Sequence, residues 1–267
     1  MSQIHLIGGE KGGVGKSTVA RLLAQEFIDR NLPFLALDGD QSHADLLRFY
    51  GDYSQPLNLR DNQSADAILL SAIEADRQVL VDLPAQSAGV LETWIAETDV
   101  LELTQELNID LVVWHVLDGS RNSVDLLERS LNDFAEDSGV TFIIVKNHGR
   151  GSQFDSFDKS ETKAKAIQRG AKIIDLSALD ENVMSRIDWL GMSFWAAANL
   201  TQGESLSLLE RRRVAAWRKN WQEQLQPLVD LIFPRKKAEV VQLYNASNES
   251  QDSLNEDSSN QECYAAK

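Results

Sequence analysis

Glu10-Lys11-Gly12-Gly13-Val14-Gly15-Lys16-Ser17-Thr18 is the stretch on which the reading of this chain turns. The apolar run Ile4 to Ile7 precedes it and predicts a buried strand. Val19 to Phe27 follows, with apolar residues at helical spacing. Strand, glycine loop and helix N-terminus, in that order, are the setting of a phosphate-binding loop. Glycines let successive backbone N–H groups turn inward around an anion. The unpaired N–H groups and dipole of the next helix add positive potential at the same point. Gly12, Gly13, Val14, Gly15, Lys16, Ser17 and Thr18 are therefore the expected cradle for a nucleotide's phosphates. Lys16 would reach the β- and γ-phosphates and Ser17 would hold Mg²⁺. The strict pattern G-x-x-x-x-G-K-[ST] is not met, because Glu10 stands where its first glycine would be. What fits is Lys-Gly-Gly-x-Gly-Lys-[Ser/Thr], with a second lysine at Lys11.

Composition narrows the class. The chain has 267 residues, 43% of them apolar, enough for a packed α/β core. A formal charge of −15 argues against a protein that coats nucleic acid through its whole surface. Cys263 is the one cysteine, so neither an internal disulfide framework nor a cysteine cluster for zinc or iron–sulfur is possible. A reducing cytoplasm is the expected compartment. No apolar run reaches membrane-spanning length, so no integral membrane association is expected.

Downstream, apolar runs alternate with helical patterns. Pro33 to Asp38 predicts a second strand, followed by Asp38-Gly39-Asp40-Gln41-Ser42. Carboxylates at the carboxyl end of a strand in an open α/β sheet can meet Mg²⁺ or a nucleotide. Two short helical segments, Ala44 to Tyr50 and Ser64 to Ala75, flank a polar stretch. Gln78 to Ala85 is a strand ending in Asp82, which suits a carboxylate that holds Mg²⁺ through its water shell. Ala88 to Leu107 reads as one helix or two, and Ile109 to Leu117 as a central strand. Ser120 is the expected N-cap of a helix over Val124 to Ala135. Val140 to Val145 is a strand running into Lys146-Asn147-His148. His148 and Arg150 read as part of a solvated loop. Lys163 to Arg169 predicts a helix and Lys172 to Leu176 the last strand. Met184 to Ala198 is helical and aromatic-rich, with Trp189, Phe194 and Trp195 expected in the core or at a dimer contact. Glu204 to Phe233 is a long candidate helix that Pro227 kinks or ends. It would pack Leu206, Leu209, Val214 and Trp217 on the sheet. Its cations, Arg211, Arg212, Arg213, Arg218 and Lys219, and Arg235-Lys236-Lys237 beyond it, form the one strongly basic region of an acidic chain. They either snorkel to water or bind a polyanion, nonspecific DNA being the expected one. Asn245 to Lys267 is polar and acidic, with the composition of a disordered tail.

The expected fold is α/β: a doubly wound, mainly parallel sheet over residues 1–233, with helices on both faces and a polar, acidic tail over 234–267.

The loop, the aspartates at Asp40 and Asp82 and the asparagine strand together resemble the ParA/MinD family of P-loop ATPases (SIMIBI-like), whose phosphate loop deviates in this way. The resemblance implies ATP and Mg²⁺ as ligands and slow, partner-stimulated hydrolysis. It implies a switch I role for Asp40, positioning the attacking water, although the family's Asp-x-Asp-Pro-Gln lacks its proline here. Asp82 takes the switch II position, so Ser17, Asp40 and Asp82 are the expected metal-side residues. Asn147 matches an asparagine that often contacts adenine. Lys11 matches a lysine that crosses the interface of an ATP-sandwiched homodimer, so Lys11, Lys16 and Asp40 are the expected catalytic set. A role in plasmid or chromosome segregation, or in plasmid mobilisation and stability, follows, with an adaptor or mobilisation protein as partner and a cytoplasmic, nucleoid-associated place. Within the same P-loop class, a MinD-like membrane-positioning switch would need an amphipathic C-terminal anchor. A nitrogenase-reductase-like carrier would need cysteines; a small-molecule ligase or kinase is the remaining alternative, the ligase type ordinarily lacking the lysine at Lys11.

Overall fold

Every apolar run read as a strand is one in the computed structural model, which describes residues 2–40, 43–135 and 138–233. The strands are β1 (Gln3–Gly8), β2 (Phe34–Asp38), β3 (Ser54–Pro56), β4 (Gln78–Asp82), β5 (Asp110–Leu117), β6 (Thr141–Asn147) and β7 (Lys172–Leu176). They form one seven-stranded sheet in the order β3-β2-β4-β1-β5-β6-β7. All its pairings are parallel. A parallel sheet covered on both faces buries its central strands along nearly their whole length, as it does β1, β4 and β5 here, with apolar runs such as Val79-Leu80-Val81 and Leu111 to Trp114. β3 was not legible: Ser54-Gln55-Pro56 is polar, and it pairs only with β2 at the sheet edge, where proline is tolerated.

Helices cover both faces. On one lie α1 (Lys16–Asp29), α2 (Asp45–Phe49), α9 (Glu181–Leu190), α10 (Phe194–Asn199), α11 (Leu208–Leu225) and α12 (Val229–Ile232). On the other lie α3 (Asn62–Glu74), α4 (Ala88–Glu97), α5 (Val100–Glu106), α6 (Arg121–Asp133), α7 (Asp155–Asp158) and α8 (Glu161–Gln168). Alternation along β1 sends Ile7 to the first core and Ile4 and Leu6 to the second. The α1 face also holds a buried polar ladder. His5 bonds Gln78 Oε1 at 3.0 Å and accepts from Trp114 Nε1 at 3.2 Å. Complete burial pushes this histidine down to about 4, so it is neutral at physiological pH. α1 is pinned by Arg21, which pairs with Asp188 of α9 at 2.8 Å and lies 3.6 Å over the Phe49 ring.

Three expectations change. The 184–198 stretch is two helices, because Gly191 takes a left-handed φ of +63° and Ser193 caps α10. Phe194 is core, whereas Trp189 and Trp195 are exposed. The long C-terminal helix begins only at Leu208, under a Ser207–Glu210 capping box, and ends in the turn that carries Pro227. It packs through Val214, Trp217, Trp221 and Leu225, spaced three and four apart. Leu209 falls off that row and is 67% exposed, so it is not part of the packed face. The basic region also shrinks. Arg218 is ion-paired with Asp29, and Arg211 donates to the Leu206 carbonyl at 2.8 Å. Arg212, Arg213 and Lys219 remain exposed. Gln41, Ser42, Arg235–Lys237 and the tail lie outside the described residues.

Arg218→Ala should therefore cost stability, about 1–2 kcal/mol in urea unfolding, because its pair with Asp29 is largely shielded from water. Lys219→Ala, at an exposed pair with Glu223, should stay within about 0.5 kcal/mol.

Candidate functional site

Strand register assembles the site. Asp38 lies beside Asp82, and Asp82 beside Ile7, at the carboxyl ends of β2, β4 and β1. The glycine loop leaves the end of β1 between β4 and β5 and enters α1 at Lys16. Chain direction reverses its lateral progress across the sheet here, the place where open α/β sheets bind ligands.

The loop is shaped by Gly15, the N-cap of α1, at φ +99°. A Cβ there would lie 2.2 Å from Asn147 Nδ2, so any side chain would collide as well as strain the backbone. Gly15 offers nothing to cap the helix, and the first turn of α1 holds no acidic residue. Its N–H groups are left for an anion.

Lys16, 8% exposed, donates to the Lys11 carbonyl at 3.4 Å. Burial pushes its ammonium pKa down, against the pull of Asp82, Glu10 and Asp40. Asp82 is 1% exposed and neither of its oxygens completes a hydrogen bond. Burial pushes it up to about 7, although Ser17 and Lys16 are near enough to oppose the shift. Two orphaned carboxylate oxygens beside the half-buried Ser17 fit a cation that arrives with its own water and phosphate ligands. No cluster of three or more His, Cys, Asp or Glu side chains capable of holding a metal occurs among the described residues. A metal here would thus depend on Ser17, Asp82 and the ligand itself.

The loop after β2, which carries Asp40, hangs from the carboxylate of Asp38. Asp38 accepts from Asp40 N and Leu47 N, both at 3.1 Å, and so fixes the turn into α2. Gly39 N donates to the Asp82 carbonyl at 3.0 Å. A Cβ on Gly39 would meet that carbonyl at 2.9 Å. Asp40 itself is half-buried, with its carboxylate against His43 N and Nδ1.

The two residues that open the loop point to different helices. Glu10 accepts from Ser87 N at 3.0 Å and Ala88 N at 2.8 Å, capping α4 from outside its own sequence. Lys11, expected to aim outward, instead folds back onto Asp118 and Ser120 of its own chain. Ser120 is the N-cap of α6, as expected, though α6 starts at Arg121 rather than Val124.

Asn147 also differs in emphasis. Its Nδ2 donates to Val14 O at 2.8 Å, and its Oδ1 accepts from Gly149 N at 3.0 Å. It braces the loop from the side. A cavity of about 230 Å³ opens next to it, lined by Thr18, Arg150, Ser177, Leu179, Met184 and Trp217 among others. A larger cleft of about 1000 Å³ lies between α4, α5 and α6. Its walls carry Glu92, Glu102 and Asp133 against the single arginine Arg129, which makes it a poor place for phosphates.

No protein-family profile matches the chain. Protein TraL of Escherichia coli is 26% identical over 240 residues, covering 84% of this chain and 98% of TraL. Protein MobD of Acidithiobacillus ferrooxidans is 24% identical over 230 residues, covering 85% of this chain and 97% of MobD. Among solved structures, a nucleotide-binding protein in complex with ADP from Archaeoglobus fulgidus superposes with a TM-score of 0.50 at 17% identity, over 71% of this chain and 86% of that one.

Two outcomes follow from the geometry. Glu10→Gly, which supplies the glycine of the strict loop pattern, should destabilise the protein by ~1 kcal/mol or more, because α4 loses its cap. Asp82 is protonated more readily in the folded chain than in the unfolded one. Its contribution to the stability of the nucleotide-free protein is therefore lost as pH rises from the usual carboxylate range to about 7. Asp82→Asn should remove that loss, raising stability at pH 8 by ~4 kcal/mol with little effect near pH 4. Urea titrations at the two pH values check it.

Proposed function

Taking the chain as a ParA/MinD-type P-loop protein in motif and fold, we propose that it is a Mg²⁺-dependent ATPase switch that pairs with a second copy when ATP is bound. The observation that carries this reading is the buried Asp82 with two open oxygens, set beside Lys16 and Ser17 at an uncapped helix N-terminus. Its similarity along nearly their whole length to TraL and MobD supports a place in plasmid transfer or mobilisation, with an adaptor or mobilisation protein as partner. No helix among the described residues is long and apolar enough to cross a membrane.

The chemistry follows from charge. In-line attack of water on the γ-phosphoryl group loads negative charge on its oxygens and on the bridging oxygen. Lys16 and the N–H groups of the loop neutralise part of it. Ser17 and Asp82 would hold Mg²⁺, which would supply further positive charge against the phosphate oxygens. Asp40, at the end of a turn fixed by Asp38, orients the water. Asn147 keeps the loop's inner wall in register, and the cavity beside it takes the base. Lys11, once released from Asp118 and Ser120, reaches the phosphates bound by the partner copy. Hydrolysis is slow because the second copy must first complete the charge shell, so the reaction acts as a timer between two partner-binding states. Nonspecific DNA remains the proposed polyanion for the exposed Arg212, Arg213 and Lys219. Two such patches on one dimer would gain avidity and lose affinity steeply with salt.

Lys16→Ala should abolish ATP binding. Asp40→Ala should bind ATP with affinity within about threefold of wild type yet hydrolyse it at least tenfold more slowly. Equilibrium binding and single-turnover rates decide the matter; an Asp40→Ala protein that turns over normally would remove the switch I assignment. Reversing the charges of Arg212, Arg213 and Lys219 together should cut low-salt DNA binding of the ATP form by tenfold or more, by on the order of 1–3 kcal/mol.

A further inference from the structure

The Nζ of Lys11 donates to Asp118 Oδ2 and, at 3.1 Å, to Ser120 Oγ. The seat is rigid. Ser120 N and Ser120 Oγ both donate to Asp118 Oδ1, at 3.1 and 2.7 Å. Gly119 takes a left-handed φ of +81°, and Gly151 packs so tightly that a Cβ on it would lie 1.8 Å from the Asp118 carbonyl. The turn from β5 into α6 therefore holds the carboxylate in one place. Burial tends to raise the Asp118 carboxyl, but hydrogen bonds from Lys11, Ser120 and Ser123 bring it down to about 2. A lysine at the N-terminus of a 13-residue helix is otherwise badly placed, since the helix dipole there repels a cation. Asp118 offsets that repulsion, so without it Lys11 has little reason to stay.

We propose that Asp118 is a positioning residue that holds Lys11 within its own chain and thereby sets the ATP and protein concentrations at which two copies pair. The proposal rests on the dimerising-ATPase reading above. A lysine held this way cannot reach a partner's phosphates. Only the fraction of chains with Lys11 released is competent, and the apparent affinity falls by that fraction. Each copy meets the penalty separately, so it enters the monomer–dimer constant twice. A latch closed in about nine chains of ten, the worth of one charge-assisted hydrogen bond, weakens pairing on the order of a hundredfold.

Asp118→Asn tests this, because an asparagine oxygen still accepts from Ser120 N and keeps the turn. Two measurements on the full chain separate the latch from the dimer. The first is limited acetylation with acetic anhydride, without nucleotide, followed by mass spectrometry, with exposed Lys159 as the internal reference. Lys11 should react about tenfold faster in Asp118→Asn than in the parent, relative to Lys159. The second is sedimentation equilibrium of both proteins in an Asp40→Ala background with saturating ATP, where Asp118→Asn should tighten the dimer by about a hundredfold, as the same fraction squared predicts. Equal acetylation of Lys11 in the two proteins would overturn the latch, whatever the dimer does. Faster acetylation with an unchanged or weaker dimer would overturn the control of pairing and place the Asp118 carboxylate across the interface instead. Faster acetylation with no ATP dimer from either protein would overturn the dimerising reading, and the proposal with it.

Discussion

A carboxylate sealed at the end of the central sheet beside a buried lysine is the constraint on which this structure depends. Asp82 and Lys16 are both nearly inaccessible, and neither oxygen of Asp82 has a hydrogen-bond partner. Burying a charge without enough partners costs several kcal/mol. The chain tolerates the cost because the strained groups lie where three parallel strands end, and the surrounding backbone has no freedom to relieve them. Gly39 is clamped to the Asp82 carbonyl, Asp38 draws in the backbone of Asp40 and Leu47, and Asn147 holds Val14 from the other side. The sheet supplies rigidity and the loop supplies N–H groups; the missing charge has to come with a ligand.

Glu10 and Lys11 link that centre to the two helices that flank it. Glu10 ties the loop to the start of α4, just after the segment that follows Asp82. Lys11 ties it to the start of α6. Two adjacent residues of opposite sign thus fasten the loop to both of its neighbours on one face of the sheet. An anion entering the loop competes for Lys11 and repels Glu10, so both ties respond to the same event in opposite senses.

Most of the fold was legible because parallel strands are buried on both faces and so announce themselves as unbroken apolar runs. Val79-Leu80-Val81 and Leu111 to Trp114 could hardly be anything else. The places of the loop and of Asp82 at the strand ends were legible because a glycine loop between strand and helix, and an aspartate closing an apolar run, are both marked in the sequence itself. What stayed hidden depended on contacts distant in sequence. Ser54-Gln55-Pro56 is a strand only because β2 offers it an edge. Glu10 looked like a departure from a pattern, and its function is visible only once Ser87 and Ala88 are 77 and 78 residues further on and within hydrogen-bond reach. The basic helix misled for the same reason: charge counts along a helix cannot reveal that Arg218 is spent on Asp29 of α1.

The central claim is that the open oxygens of Asp82 await a cation that only a nucleotide can bring. Isothermal titration of ATP into the protein at pH 6, with and without Mg²⁺ and in two buffers of different ionisation enthalpy, tests it most directly. The account expects Mg²⁺ to tighten binding by tenfold or more and to release about one proton as Asp82 ionises, with both effects lost in Asp82→Asn. ATP binding that ignores Mg²⁺, or a proton release that Asp82→Asn leaves intact, would contradict it.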